Sequence, residues 1–190
     1  MELMDGVVRL RPLGAADAPA IVQARNDPDT ARFIPGMPSP YSSSHARGYL
    51  ESVGGFDPNE RVALAIADAT TDDLLGAIEV RLGEAGSIGY WVAPSARGRS
   101  VATRALVLLS RWAIHERGVE RLELTTHPDN VASQRVAEKA GFVREGVLRA
   151  HIRFGEGRRD SVIFSLLPRD LATPGRAPAA VEPARRPAGG

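Results

Sequence analysis

The sequence contains no cysteine, which excludes disulfides, thiolate metal sites and a cysteine nucleophile. It also lacks any long apolar run. No segment approaches the roughly 20 apolar residues of a membrane span. The opening "MELMDGVVRLRPLG" has neither a basic leader nor a hydrophobic stretch. A soluble, cytoplasmic protein with no membrane partner is expected. An excess of one charge is missing too: 24 basic and 23 acidic residues leave a formal net charge of +1. The chain therefore has no broad electrostatic footprint for nucleic acid. Lysine is nearly absent, with Lys139 the one example. That bias reflects a GC-rich coding sequence and carries no preference for phosphate by itself.

A chain of 190 residues suits one domain that buries about two thirds of its unfolded surface. The domain is expected over residues 1–172. The stretch "TPGRAPAAVEPARRPAGG", residues 173–190, is dense in Pro, Ala and Gly and should be a disordered tail.

Within the domain, "VVRLRPL" alternates like a strand and "ADAPAIVQARND" reads as a helix that Asn26-Asp27-Pro28 breaks. "FIPGMPSPYSSS", Phe33 to Ser44, is expected to be a loop ahead of the helix "HARGYLESV". "RVALAIAD" and "LLGAIEVRL" make a hairpin, and "SIGYWVAP" is a strand ended by its proline. From Ser100 to His115, apolar residues recur at helical spacing and Gly118 marks the stop. "ERLELTTH" is a strand, "NVASQRVAEKAGF" a helix, and the closing "FVREGVLRAHIRF" and "RDSVIFSLL" a strand pair. The pattern is mixed α+β around a strand-helix-strand-helix-strand unit from Ser87 to Ile152.

Two features of that unit bear chemistry. Arg97, Gly98, Arg99 and Ser100 lead straight into a helix whose first N–H groups have no intrahelical partner, an arrangement that attracts anions. A solvated basic turn capping a helix has the same sequence. The second feature is Ser133, spaced to share the inward face with Val136, Ala137 and Ala140. It is either a serine bonded back to a carbonyl one turn earlier or a hydroxyl turned toward a ligand.

The segments "GYWVAPSARGRSVATRAL", "NVASQRVAEKAGF" and "REGVLR" resemble the GNAT superfamily of acyl-CoA N-acyltransferases, and within it the Rim-type branch, across Val7 to Leu167. The resemblance implies a mostly antiparallel central sheet with flanking helices and a splayed strand pair holding acyl-CoA. It implies acetyl-CoA as co-substrate and no metal. Arg97, Gly98, Arg99, Ser100, Val101 and Ala102 would surround the coenzyme pyrophosphate. Trp91 and Val92 would pair their main chain with the pantetheine arm. Asn130 would hold the pantetheine end, and Ser133 would lie beside the thioester sulfur, which would fill the space next to it.

The implied activity is N-acetyl transfer to a primary amine, either a protein or peptide N-terminus or a small molecule, by direct transfer in a ternary complex. Such an amine must lose a proton before it attacks, and the departing thiolate needs a donor, for which Ser133 is the candidate. Relatives often carry glycine at the position of Ser100, glutamate at that of Ser87 and tyrosine at that of Ala137; this chain has none of them. The proton acceptor is then sought in Glu79 or His127, with His151 and Glu84 behind them. The rival reading is a non-catalytic acyl-CoA-binding or regulatory domain, and a homodimer is compatible with either.

Overall fold

The computed structural model describes residues 1–171, so the expected tail lies outside the described residues. Eight strands form one open sheet in the order β1-β2-β3-β4-β5-β6-β8-β7. They are β1 (Leu3–Met4), β2 (Val8–Pro12), β3 (Arg61–Asp68), β4 (Leu74–Arg81), β5 (Gly86–Val92), β6 (Leu122–Thr126), β7 (Val143–Phe154) and β8 (Gly157–Leu166). Every neighbouring pair is antiparallel except β5 and β6, which run parallel. The mixed, mostly antiparallel α+β architecture is thus the one the sequence leads one to expect.

Among the described residues, six α-helices accompany the sheet: α1 (Ala18–Arg25), α2 (Pro28–Phe33), α3 (Ser43–Gly54), α4 (Val101–Arg117), α5 (Val131–Lys139) and α6 (Pro168–Leu171). Helix α4 lies across β2, β4 and β5, and α5 packs beside it against β6 and β7. Their apolar faces meet the inward residues of the strands. Leu106 and Leu109 of α4, Ile78 and Val80 of β4, and Phe164 and Leu166 of β8 are all buried in one cluster. On the opposite face α1 packs on α3 and β4, burying Ile21, Tyr41 and Ala46. The sheet therefore separates two chemically distinct sides.

Helix α2 replaces part of what the sequence presents as a break. Asp27 accepts a hydrogen bond at 2.9 Å from the Thr30 amide, and Pro28 occupies the first helical turn. An aspartate cap with proline behind it is a start signal as well as a stop signal. The same three residues end α1 and open α2, and the expected loop lies between Phe33 and Ser43, where α3 begins.

The start of α1 is tied to β2 by a buried fork. Arg11 Nη1 and Nη2 donate to the two Asp17 oxygens at 3.0 and 2.9 Å, and the Gly14 amide adds a third bond at 2.8 Å. Burial alone would raise the Asp17 carboxyl, yet Arg11 and the Gly14 amide hold it below the usual carboxylate range.

Strands β4 and β5 approach without room for a side chain at one point. A Cβ on Gly76 would sit 2.2 Å from the Trp91 carbonyl oxygen and 2.9 Å from the Val92 Cα. Both obstacles are backbone and cannot rotate away. Gly76→Ala should therefore lower the urea unfolding midpoint markedly and loosen β5. An unchanged midpoint would show that the two strands do not approach this closely.

Candidate active site

The parallel ladder between β5 and β6 is short. Gly86 pairs with Leu122, Ser87 with Glu123 and Ile88 with Leu124, and there the pairing ends. Beyond that point β5 continues only with β4, through Gly89↔Glu79 to Val92↔Gly76. Strand β6 continues only with β8, through Thr126↔Val162. From Gly89 to Val92 the edge of β5 that faces β6 is therefore left without a strand partner. A polar backbone edge in a groove is a template for an extended ligand that carries amides of its own.

A cleft of about 630 Å³ occupies this opening. Its walls come from β5 (Gly89 to Val92), from the turn and first residues of α4 (Arg97, Gly98 and Ser100 to Thr103), and from the start of α5 (Asn130, Ala132 and Ser133). The side facing away from these is formed by Phe33, Ile34 and Pro35 and by residues of β7 and β8. The sequence-derived residues Trp91, Val92, Arg97, Gly98, Ser100, Val101, Ala102, Asn130, Ser133 and His127 all line it. Arg99 does not line it, and reaches instead to Asp68 at 3.7 Å. Glu79 also lies outside the lining, on the strand next to it.

The turn into α4 is shaped by left-handed backbone. Gly98 has φ +73°, and Ser100 has φ 59° as the residue immediately before the helix. A Cβ on Gly98 would meet nothing within 4 Å, so glycine is used there for its conformation. Ser100 adopts the same region with a side chain and makes no side-chain cap hydrogen bond. The glycine that relatives carry at this position is thus accounted for by backbone geometry. Arg97 is engaged within the chain: it pairs with Asp27, reaches Asp29 at 3.4 Å and donates to Thr30 Oγ1 at 2.8 Å. Arg135, Lys139 and Arg159 add positive charge to the lining, against Asp29 and Asp160.

Ser133 has a protein neighbour where sequence reasoning placed only a sulfur. Its hydroxyl lies 2.9 Å from the Tyr90 hydroxyl, while its amide donates to the Asn130 side chain at 3.1 Å as the cap of α5. Burial pushes the Tyr90 hydroxyl up to about 12, against a smaller opposing effect of the Ser133 contact. Tyr90 is therefore a neutral donor across the physiological range. Sequence reasoning passed over it. Its alternation with Ile88 and Val92 marked the face it occupies, but the residue opposite comes from a helix 43 positions away.

The proton acceptors occupy different surroundings. His127 stacks tilted on Phe33 at 5.9 Å between centroids, and its Nδ1 accepts the Asp129 amide at 3.1 Å. The neutral ring consequently carries its hydrogen on Nε2 and has no free lone pair to offer the cleft. Glu79 accepts from Arg61 at 2.6 Å and lies 3.5 Å from Arg81. It projects on the face of Gly89, where an added Cβ would meet its Oε1 at 3.9 Å. His151 contacts Ser161 Oγ at 3.1 Å, and Glu84 is exposed on the turn before β5.

With this geometry in place, comparison with known proteins is informative. Residues 8–143 match the model of the Acetyltransferase (GNAT) domain. The chain belongs to this family. It is 29% identical to the Bacillus subtilis protein YjcK over 116 residues, covering 58% of this chain and 64% of that one. It is 30% identical over 82 residues to the ribosomal-protein-serine acetyltransferase of Escherichia coli, covering 41% and 46%. The match thus spans less than two thirds of either relative. Mycobacterium smegmatis RimJ, solved with a CoA-disulfide, shares the fold with a TM-score of 0.80 at 23% identity, covering 91% of this chain and 88% of that one.

Ser100 gives a direct test of the turn. A non-glycine residue in the left-handed region carries a penalty of about 1–2 kcal/mol. Since no cap bond would be lost, Ser100→Gly should raise unfolding stability by about 1 kcal/mol, measured by urea denaturation. A loss of stability would mean that the serine side chain contributes a contact of its own.

Proposed function

We propose that this protein transfers an acetyl group from acetyl-CoA directly to a primary amine within a ternary complex. The observation that carries this reading is the unpaired edge of β5, ending beside a helix origin with a positively charged rim. Amides of a pantetheine arm match the free edge from Gly89 to Val92. The pyrophosphate fits the α4 turn, where the first helical N–H groups lack partners and Gly98 lets the backbone approach. Arg97 is then drawn from Asp27 toward phosphate, while Val101 and Ala102 supply amides. Asn130 keeps the start of α5 in place, and Arg99 contributes charge from the rim.

The two hydroxyls at the heart of the cleft serve the leaving group. Ser133 donates to the sulfur, and Tyr90, fixed 2.9 Å away, replenishes or shares that proton. A neutral hydroxyl pair at the origin of α5 suits a developing thiolate, which gains from donors positioned in advance. Glu79 is the proton acceptor. It lies on the opposite face of the sheet from α4 and α5, the side from which an amine meets the thioester without crossing the coenzyme, and it works through water. His127, with Nε2–H toward the cleft, orients rather than deprotonates. The acceptor is a protein N-terminus, as in the Rim-type branch, or a small amine.

The test uses the protein's lack of thiols, since any thiol released from acetyl-CoA reports turnover. Ser133→Ala should lower kcat about tenfold or more with little change in the acetyl-CoA KM, and Arg97→Ala should do the reverse. Acetyl-CoA binding without thiol release across peptides and small amines would favour the non-catalytic reading instead.

Glu79→Gln should lower kcat at neutral pH by about a hundredfold. The deficit should shrink as pH rises toward the acceptor's own pKa, where the amine arrives already deprotonated. His127→Ala should show no such recovery. A pH-independent loss in Glu79→Gln would assign that residue a structural part alone.

A further inference from the structure

On the face of the sheet that Glu79 occupies, a second group of polar atoms lacks partners. Arg25, the last residue of α1, is wrapped by three rings. Its guanidinium carbon lies 4.6 Å from the Tyr49 centroid, 5.3 Å from that of Tyr41 and 5.4 Å from that of Trp91. The hydrogen bond it makes is a long one, from Nη1 to Met37 Sδ at 4.0 Å. Among the described residues, its Nε is buried with no hydrogen-bond partner, and so is Nε1 of Trp91. The Tyr49 hydroxyl is close enough to accept from both Trp91 and Arg25, without the alignment of a full hydrogen bond.

The N–H groups of this niche are donors whose acceptors are the Tyr49 oxygen and the Met37 sulfur. No carboxylate of the described residues answers them. Arg11, partly buried like Arg25, has its acid in Asp17, so the isolation of Arg25 is a local feature. Aromatic faces stabilise a cation but accept no in-plane N–H bonds. A guanidinium with no carboxylate and an indole N–H with no well-aligned acceptor carry a desolvation penalty that one planar anion would reduce.

The niche adjoins the cleft through Trp91. Trp91 belongs to the unpaired stretch of β5 that edges the cleft, and its side chain projects on the α1 and α3 side. Glu79 lies two positions along the paired strand from Ala77, the residue opposite Trp91. A cation with no carboxylate partner among the described residues and a carboxylate held by two arginines thus both act on Tyr49, on one face of the sheet.

We propose that Arg25, with Trp91 Nε1 and the Tyr49 hydroxyl, is a carboxylate subsite, and that the acceptor is an amine that carries a carboxylate. The proposal deepens the transfer reading and rests on it for the amine. The carboxylate seats on the fork of Arg25 while the amine extends past Glu79 into the opening. Neutral amines and polyamines lack the group that fills the niche. A free amino acid and a peptide with an acidic side chain near its N-terminus share this chemistry.

The experiment pairs each carboxylate with its own amide. Glycine, β-alanine and γ-aminobutyrate are compared with their primary amides, and the C-terminally amidated dipeptides Ser-Asp and Ser-Asn form a further pair. Thiol release measures turnover, and calorimetric titration into the CoA-saturated full chain measures binding without chemistry. In at least one pair the carboxylate member should be favoured about tenfold or more. Arg25→Gln and, separately, Tyr49→Phe should reduce that preference through KM while leaving acetyl-CoA affinity in place. Preference confined to the amino acids identifies a small-molecule acceptor, and preference confined to Ser-Asp identifies a peptide.

Equal use and equal binding of both members in every pair would overturn the proposal, as would an undiminished preference in Arg25→Gln. Carboxylate binding that depends on Arg25 without any thiol release would support the subsite and instead sink the transfer reading.

Discussion

The parting of β5 from β6 after Ile88 and Leu124 is the constraint on which the rest of the molecule depends. Each strand keeps its outer partner, β4 or β8, while the inner edges separate. Helices α4 and α5 pack side by side on one face, α4 after a short 3-10 turn that follows β5 and α5 shortly after β6. The gap leaves backbone amides, two helix origins and the Tyr90–Ser133 pair facing one space.

The two sides of the sheet then divide the chemistry. Toward α4 and α5 lie the positive rim, the left-handed turn at Gly98 and Ser100, and the paired hydroxyls, all suited to a phosphorylated carrier and a departing sulfur. Toward α1 and α3 lie Glu79 with its two arginines and Arg25 within its rings, suited to an amine and its substituents. Arg97 links them. Its contacts with Asp27, Asp29 and Thr30 tie the turn before α4 to α2, whose last residue, Phe33, stacks on His127.

Much of this was legible from local pattern. Alternation in "SIGYWV", the periodicity from Val101 to Trp112, and the cap at Asn130 each map onto an element of the structure. The polar Ser133 on an apolar helix face pointed to the cleft. Other features depend on contacts distant in sequence and left no local mark. Tyr90 was indistinguishable from a core aromatic until α5 placed Ser133 opposite it. Nothing local singles out Arg25, because its rings come from α3, the preceding loop and β5. Asp27-Pro28 was ambiguous for a different reason: one aspartate-proline pair stops a helix and starts another equally well. The Ser100 departure needed backbone dihedrals, since a sequence cannot show that a position is left-handed.

Hydrogen exchange of the main-chain amides, followed with and without CoA, tests the central claim most directly. If the parted strands receive the carrier, protection should rise along Gly89 to Val92 and from Gly98 to Ala102, with little change on the outer strands β1 to β3. Protection appearing elsewhere, with the free edge of β5 exchanging at its original rate, would contradict the account.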